Sequence, residues 1–237
     1  MKLIFPLIWL SIGHDSLIGA VMAEFVNRKT YVHLREVYQY ELQICRLLQP
    51  IYESINVPVK RQWRSFPYED YYPNGDDRHY RTYMPIIDIA VGPFAVYEQM
   101  IPWYDQLLQY SSLLITELIA YHASNIRLMH GFYESPTLET LTTYNQNARC
   151  FLSIEIEGFN RNPKHILGSI FNASSLGRLG IAVAWNDVQL RRFIGIQQHL
   201  NFLSVHKKGF FTTNNVLFIL REQLEQAITT FSTHLQG

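Results

Sequence analysis

At 237 residues, with 48% hydrophobic side chains, the chain is long enough for one large domain, or one domain with an insertion, around a real core. Its 20 basic and 20 acidic residues cancel, which excludes a protein that holds nucleic acid by net charge alone, although a neutral total can hide a locally basic groove. Cys45 and Cys150 lie far apart in apolar surroundings without CxxC spacing, so they read as small buried hydrophobes rather than a redox pair or a zinc site, consistent with a reducing, cytoplasmic setting.

The beginning imitates a secretion signal: Lys2, the apolar run Leu3 to Ile12, then Ala20-Val21-Met22-Ala23. His14 and Asp15 interrupt that run, which favours a buried N-terminal segment with Asp15 or Ser16 capping the next helix. The run is too short to span a bilayer. From Ser16 to about Ile55 apolar residues recur at three- and four-residue steps, through Leu34, Val37, Tyr38, Leu42, Cys45, Leu48 and Ile51, which predicts a helix ended or kinked at Pro50. Glu36 and Glu41 are expected on its outer, solvated face.

Val57 to Phe66 reads as a strand carrying Lys60, Arg61 and Arg64, followed by a turn-rich stretch, Tyr68 to Tyr83, that suggests a long hairpin connection or flap. The basic and aromatic mixture around Arg61, Trp63, Arg64, Tyr71, Tyr72, Arg78 and Arg81 suits contact with phosphates and bases, and equally a plain surface. Met84 to Val91 is a short apolar strand, ended by Gly92-Pro93, with one charge, Asp88, in its middle. A lone carboxylate there is costly unless it is paired or bound to a cation, so Asp88 is the best single candidate for a functional residue.

Tyr97 to about Met129 is predicted helical, with one apolar stripe that includes Leu107, Leu108, Leu114, Ile115 and Leu118 and offers a surface for a homodimer. His122 on that stripe is read as a satisfied core or interface histidine. A further short helix is expected over Thr137 to Gln146. Residues 97–147 are therefore read as a helical insertion in a single domain, 1–237.

The stretch from Ala148 to Trp185 has the pattern strand, turn, helix, strand. Cys150, Leu152, Ile154 and Ile156 fall on one face of the first strand and Phe151, Ser153, Glu155 and Glu157 on the other. The two glutamates are about 6 to 7 Å apart along the strand, close enough to approach one ion or two neighbouring ions; an exposed edge strand would show the same alternation. Asn160-Arg161-Asn162-Pro163 is a polar turn in which Pro163 suits the first turn of a helix. That helix carries Lys164 at its start, able to reach back toward the glutamates, and Asn172 and Arg178 farther along, read as structural. Ile181 to Trp185 follows as an apolar strand, so the unit is a crossover with a parallel strand pair. Asp187 to Phe202 is read as a helix, Val216 to Leu220 as a strand and Arg221 to Phe231 as a closing helix. The fold class is α/β, with strands near 59, 86, 152, 183 and 217.

This order, with Pro85-Ile86-Ile87-Asp88 and Glu155-Ile156-Glu157 on neighbouring strands, resembles the core of the PD-(D/E)xK nuclease superfamily, the restriction-endonuclease-like fold. The resemblance covers Val57 to Val91 and Ala148 to Trp185. It implies a mixed central sheet flanked by helices and a Mg²⁺-dependent endonuclease acting on DNA, with Mn²⁺ as a substitute ion. Asp88, Glu155 and Glu157 match the metal-binding and catalytic positions. Glu157 stands where the family usually has lysine, and Lys164 matches a lysine relocated to the following helix. Lys60, Arg61, Arg64 and Arg161 would contact nucleic acid.

The chemistry fits these residue types. Two carboxylates on adjacent strands, roughly 5 Å apart, can share Mg²⁺, an ion that prefers oxygen ligands and keeps several waters. Glu157 would orient a water or hold a second ion, Lys164 would balance charge growing on the phosphate, and Arg161 with the helix N-terminus would cradle it. The alternatives are a catalytically inactive nucleic-acid- or protein-binding member of the same fold, and an unrelated α/β protein whose glutamates are surface groups.

Overall fold

The structure is a computed structural model and describes residues 34–65, 85–95, 98–158, 162–208 and 212–237. The secretion-like start, the flap over Tyr68 to Tyr83 and Arg161 lie outside the described residues.

Five strands form one mixed sheet in sequence order: β1 (Val59–Arg64), β2 (Ile86–Val91), β3 (Cys150–Glu157), β4 (Gly177–Ala184) and β5 (Val216–Leu220). β1 to β2 and β2 to β3 are antiparallel, and β3 to β4 and β4 to β5 are parallel. The change of direction falls at β3, whose eight residues are all buried, so the glutamate strand is central and not an exposed edge. β1, β2, β3 and β5 lie where strands are read from the sequence, β1 although it carries Lys60, Arg61 and Arg64, whereas β4 begins ahead of the apolar run Ile181 to Trp185.

Helices cover both faces. On one, helix α1 (34–53) joins α2 (Ile101–Tyr110), α3 (Ser112–Leu128) and α7 (Arg221–Gln236) against the strand side chains Ile89, Leu152, Ile154, Ile181, Val183 and Leu217. On the other, α5 (Pro163–Leu176) and α6 (Asp187–Val205) pack Ile166, Ile170, Phe193 and Ile194 on Ala182, Ala184 and Phe218. α5 is the parallel crossover between β3 and β4. It lies tight on the sheet because Gly180 has no Cβ; one added there would stand 2.8 Å from the Ala173 carbonyl oxygen. A single-turn helix, α4 (Leu138–Leu141), completes the segment between β2 and β3.

Several local expectations change. α1 runs through Pro50 to residue 53. The helix predicted over 97–129 is two helices that meet at Ser111, where the backbone leaves helical geometry; their stripe, including Tyr104, Leu107, Leu108, Leu114, Ile115 and Leu118, is buried in the chain's own core. The apolar surface offered for a homodimer is therefore already covered. The short helix over Thr137 to Gln146 is reduced to α4. β4 begins at Gly177, so Arg178 belongs to a strand rather than to the preceding helix. At the start of β3 the alternation is displaced: Phe151 packs in the main core against Tyr52, and Cys150 sits with Trp63, Ile87, Ala90 and Leu176. Both cysteines are buried and free.

His122 and Asn125, on α3, dress the edge of β5. The Phe218 N–H donates to His122 Nδ1 at 3.0 Å and the Asn125 amide donates to the Phe218 carbonyl at 3.0 Å, so side chains supply what a neighbouring strand would. His122 is thus a core histidine, and burial lowers its pKa to about 4. Arg178, fully buried, clamps the inserted segment: it donates to Asp105 at 2.7 Å and to the carbonyls of Tyr144 and Thr142 at 2.9 and 2.5 Å.

Candidate functional site

Where β3 ends, α1 and α5 stand on either side of the sheet's edge and enclose a cavity of about 580 Å³. Its strand residues are Arg61 and Gln62 of β1, Asp88 of β2, and Glu155, Ile156 and Glu157 of β3. α1 contributes Leu34, Val37, Tyr38 and Glu41, at helical spacing. α5 contributes Lys164, His165, Gly168, Ser169 and Asn172, a polar stripe opposite its buried Ile166, Ile170 and Ala173. Asp88, Glu155, Glu157 and Lys164, singled out from the sequence, therefore line one cavity, and so does Arg61. Lys60 and Arg64 are exposed on β1 outside this lining, with Lys60 Nζ 4.6 Å from the Phe94 ring centre.

The sheet register explains the convergence. Ile89 pairs with Ile154 and Ala90 with Ser153, and one further step brings Asp88 level with Glu155. There the Asp88 carboxylate takes over from the backbone, accepting the Ile156 N–H at 2.8 Å through Oδ2. The other oxygen accepts from Gln62 Nε2 at 3.0 Å, and the same amide nitrogen donates to Glu41 at 3.2 Å. Gln62 is held at a φ of 50°, a left-handed conformation inside a strand, at the point where β1 turns this amide toward the two acids. α5 starts as its sequence predicts: the Asn162 side chain accepts the Lys164 N–H at 3.0 Å and Pro163 occupies the first turn.

Glu155 and Glu157 project toward α5, where Ser169 Oγ donates to Glu157 Oε1 in a short hydrogen bond and Asn172 hydrogen-bonds Glu155. Glu155 Oε1 is buried and has no hydrogen-bond partner among the described residues. Glu155 is consequently pushed well above the ordinary carboxyl range, first by burial, then by Asp88, with Glu157 and Glu41 adding to the rise and the Asn172 hydrogen bond opposing it. Glu41 is raised to about 7 by burial and by Asp88, against the pull of the Gln62 hydrogen bond and of Arg61, whose guanidinium stands 3.7 Å away. Glu41 was expected on the outer face of its helix; it is 7% exposed and faces the acids instead, because the outer side of α1 at this point is the wall of the cavity. Asn172 likewise belongs to the site rather than to the helix packing alone.

The acidic cavity suits a hard cation in its donor set: oxygen ligands, a buried carboxylate oxygen without a partner, and mutual repulsion that a positive charge would relieve. Among the described residues, however, no group of three or more His, Cys, Asp or Glu side chains is disposed to hold a metal ion. Asp88, Glu155 and Glu157 share the cavity without forming such a trio. No helix of the described residues is long and apolar enough to cross a membrane.

Comparison of the chain with protein-family models, with curated proteins and with solved structures returns no match.

Proposed function

We propose that the protein is a Mg²⁺-dependent DNA endonuclease of the PD-(D/E)xK, restriction-endonuclease-like type, and that the cavity between α1 and α5 is its active site. The observation that carries this reading is the meeting of Asp88, Glu155, Glu157 and Lys164 in one cavity, from two adjacent antiparallel strands and the helix that follows. The element order supports it: a helix, three antiparallel strands, a crossover helix and a parallel strand.

Asp88 and Glu155 would hold Mg²⁺, since this ion is commonly bound by one or two carboxylates, waters and substrate phosphate rather than by an all-protein cage. When bound it would stabilise charge on the phosphodiester and lower the pKa of a water. Glu157, which accepts a hydrogen bond from Ser169, would orient the attacking water and accept its proton, or hold a second ion. Lys164 would supply positive charge to the phosphate oxygens as negative charge grows on them. Lys60, Arg61, Arg64 and Arg161 are assigned to the DNA backbone.

A second reading is a nucleic-acid- or protein-binding protein of the same fold without activity. It is favoured by one observation: the acids are not disposed as a ligand trio among the described residues. Incubating plasmid and single-stranded DNA with purified protein in Mg²⁺ and in Mn²⁺, beside the Asp88→Ala, Glu155→Ala double variant, separates the two. Cleavage that disappears in the variant is expected; no cleavage by the wild-type protein with either ion overturns the nuclease reading.

A further inference from the structure

The two walls of the cavity differ in chemistry, and the difference bears on which form of DNA the proposed nuclease takes. On α1, Leu34 and Tyr38 are one helical turn apart and are 54% and 46% exposed, an apolar and aromatic surface at the opening. Arg61 stands 4.3 Å over the Tyr38 ring and braces it from one face. Facing them across the cavity, α5 offers Lys164 and His165. Between the walls, Glu155 and Glu157 are each only 6% exposed, at the floor of a space of small-molecule size.

A duplex turns its bases inward and presents phosphates and groove edges. Laid over this opening it would set sugar and phosphate against Leu34 and Tyr38, and its backbone would have to enter a narrow space to reach the floor. An unpaired strand has base faces on one side and phosphates on the other, and bases stack on aromatic rings irrespective of sequence. We propose that the cavity admits single-stranded DNA, as a free strand or as the flap of a junction, with a base against Leu34 and Tyr38 and the following phosphate between Lys164 and the acidic floor. Tyr38 is the residue that discriminates unpaired from paired substrate. This inference rests on the nuclease reading and names its substrate class.

The test uses the full chain and three fluorescent DNAs of one sequence: a 20-nucleotide single strand, the blunt 20-base-pair duplex, and that duplex with a single-stranded flap. Cleavage in Mg²⁺ and in Mn²⁺ is measured with wild-type, Tyr38→Leu and Tyr38→Phe protein, and binding by anisotropy with Glu155→Gln protein with and without Tyr38→Leu. Expected are a preference of about tenfold or more for the single strand and the flap, as loss of one stacked base would give, parity in Tyr38→Leu, and recovery in Tyr38→Phe. A blunt duplex cut or bound as well as the single strand overturns the inference, as does an unchanged ratio in Tyr38→Leu. Absence of cleavage on all three DNAs defeats the nuclease reading instead, and the binding ratio then still decides whether the cavity prefers an unpaired strand.

Discussion

Asp88 is tied to the glutamate strand through backbone: its Oδ2 accepts the N–H of Ile156, between Glu155 and Glu157, at 2.8 Å. The bond fixes the β2 acid against the two β3 acids irrespective of where their own side chains turn. In Asp88→Asn the amide oxygen keeps that hydrogen bond while the charge is gone, and the amide nitrogen meets Gln62, whose side-chain amide must turn over to present its oxygen. We expect a protein within about 1 kcal/mol of wild-type stability, by chemical denaturation, whose DNA cleavage falls below about 1% through loss of a charged group at the reacting centre. A loss of folding in Asp88→Asn would show that the carboxylate is structural.

Ser169 and Asn172 hydrogen-bond Glu157 and Glu155, and in the proposed nuclease they would act on the reaction through these acids. Ser169→Ala and Asn172→Leu should each lower the cleavage rate about 10- to 100-fold, the range seen when partners of metal-site ligands are removed. DNA affinity in the absence of divalent ions should stay as it is. An equal fall in affinity and rate would place these side chains on the substrate rather than behind the acids.

Stability should depend on pH from two sides. Glu41, raised from 4.5 to about 7, and Glu155, also raised, hold their protons more tightly in the folded state. Their contribution is complete below pH 4.5 and is lost as pH rises through the raised values. His122, lowered from 6.5 to about 4, has the opposite sign: its contribution is complete above pH 6.5 and is lost as pH falls toward 4, about 3 kcal/mol in all. Without divalent ions, the two windows overlap between pH 4.5 and 6.5, where His122 offsets part of the loss from the glutamates, and above pH 6.5 the melting temperature should fall toward pH 8. Glu41→Gln should flatten the alkaline limb by several degrees, at about 2–4 °C per kcal/mol for a chain of this size. An alkaline limb unchanged in Glu41→Gln would contradict the placement of Glu41 among the acids.

Mg²⁺ should reverse that alkaline fall. Its ligands must be deprotonated, so the stabilisation should be large at pH 8, about 2.7 kcal/mol at a hundredfold excess over Kd, and small at pH 5.5. Calorimetric titration at the two pH values checks this, and the Asp88→Ala, Glu155→Ala double variant should show no Mg²⁺ effect at either.

Asp105→Ala leaves the guanidinium of Arg178 buried without its carboxylate. The expected loss is about 3 kcal/mol or more, or roughly 6–12 °C in melting temperature. A shift under 2 °C, roughly 1 kcal/mol or less, would mean that the Tyr144 and Thr142 carbonyls alone suffice.

Much of this arrangement is legible in the sequence for simple reasons. Apolar runs of strand length, broken by Gly, Pro and Asn, locate β2, β3, β5 and the latter half of β4, and a strand, helix, strand succession favours the parallel β3–β4 pair. Asp88 and the two glutamates stand out because charge is unusual in buried strands. Glu41 does not, because helical periodicity identifies the apolar face of α1 and treats every other side as solvent; only the position of α5 makes one of those sides a wall. Gln62 gives no warning of its left-handed backbone, which is more often marked by Gly or Asn. The break at Ser111 carries neither Gly nor Pro, and the stripe across it continues unbroken because both helices pack on the same core. Ser169 and Asn172 were within reach: together with Lys164 and His165 they fall on one polar face of α5.

The cavity draws on residues 34 through 172, and its first wall, α1, is also planted in the core through Ile44, Leu48, Ile51 and Tyr52. During synthesis the acids of β2 and β3 therefore stay without a working enclosure until α5 has left the ribosome and docked across from α1. Whatever chemistry the cavity performs, an unfinished or cleaved chain cannot perform it: a fragment ending before residue 162 lacks Lys164, Ser169 and Asn172, and one beginning after residue 65 lacks Tyr38, Glu41 and Gln62. Any activity of the cavity therefore depends on α1, the three antiparallel strands and α5 being present and docked together.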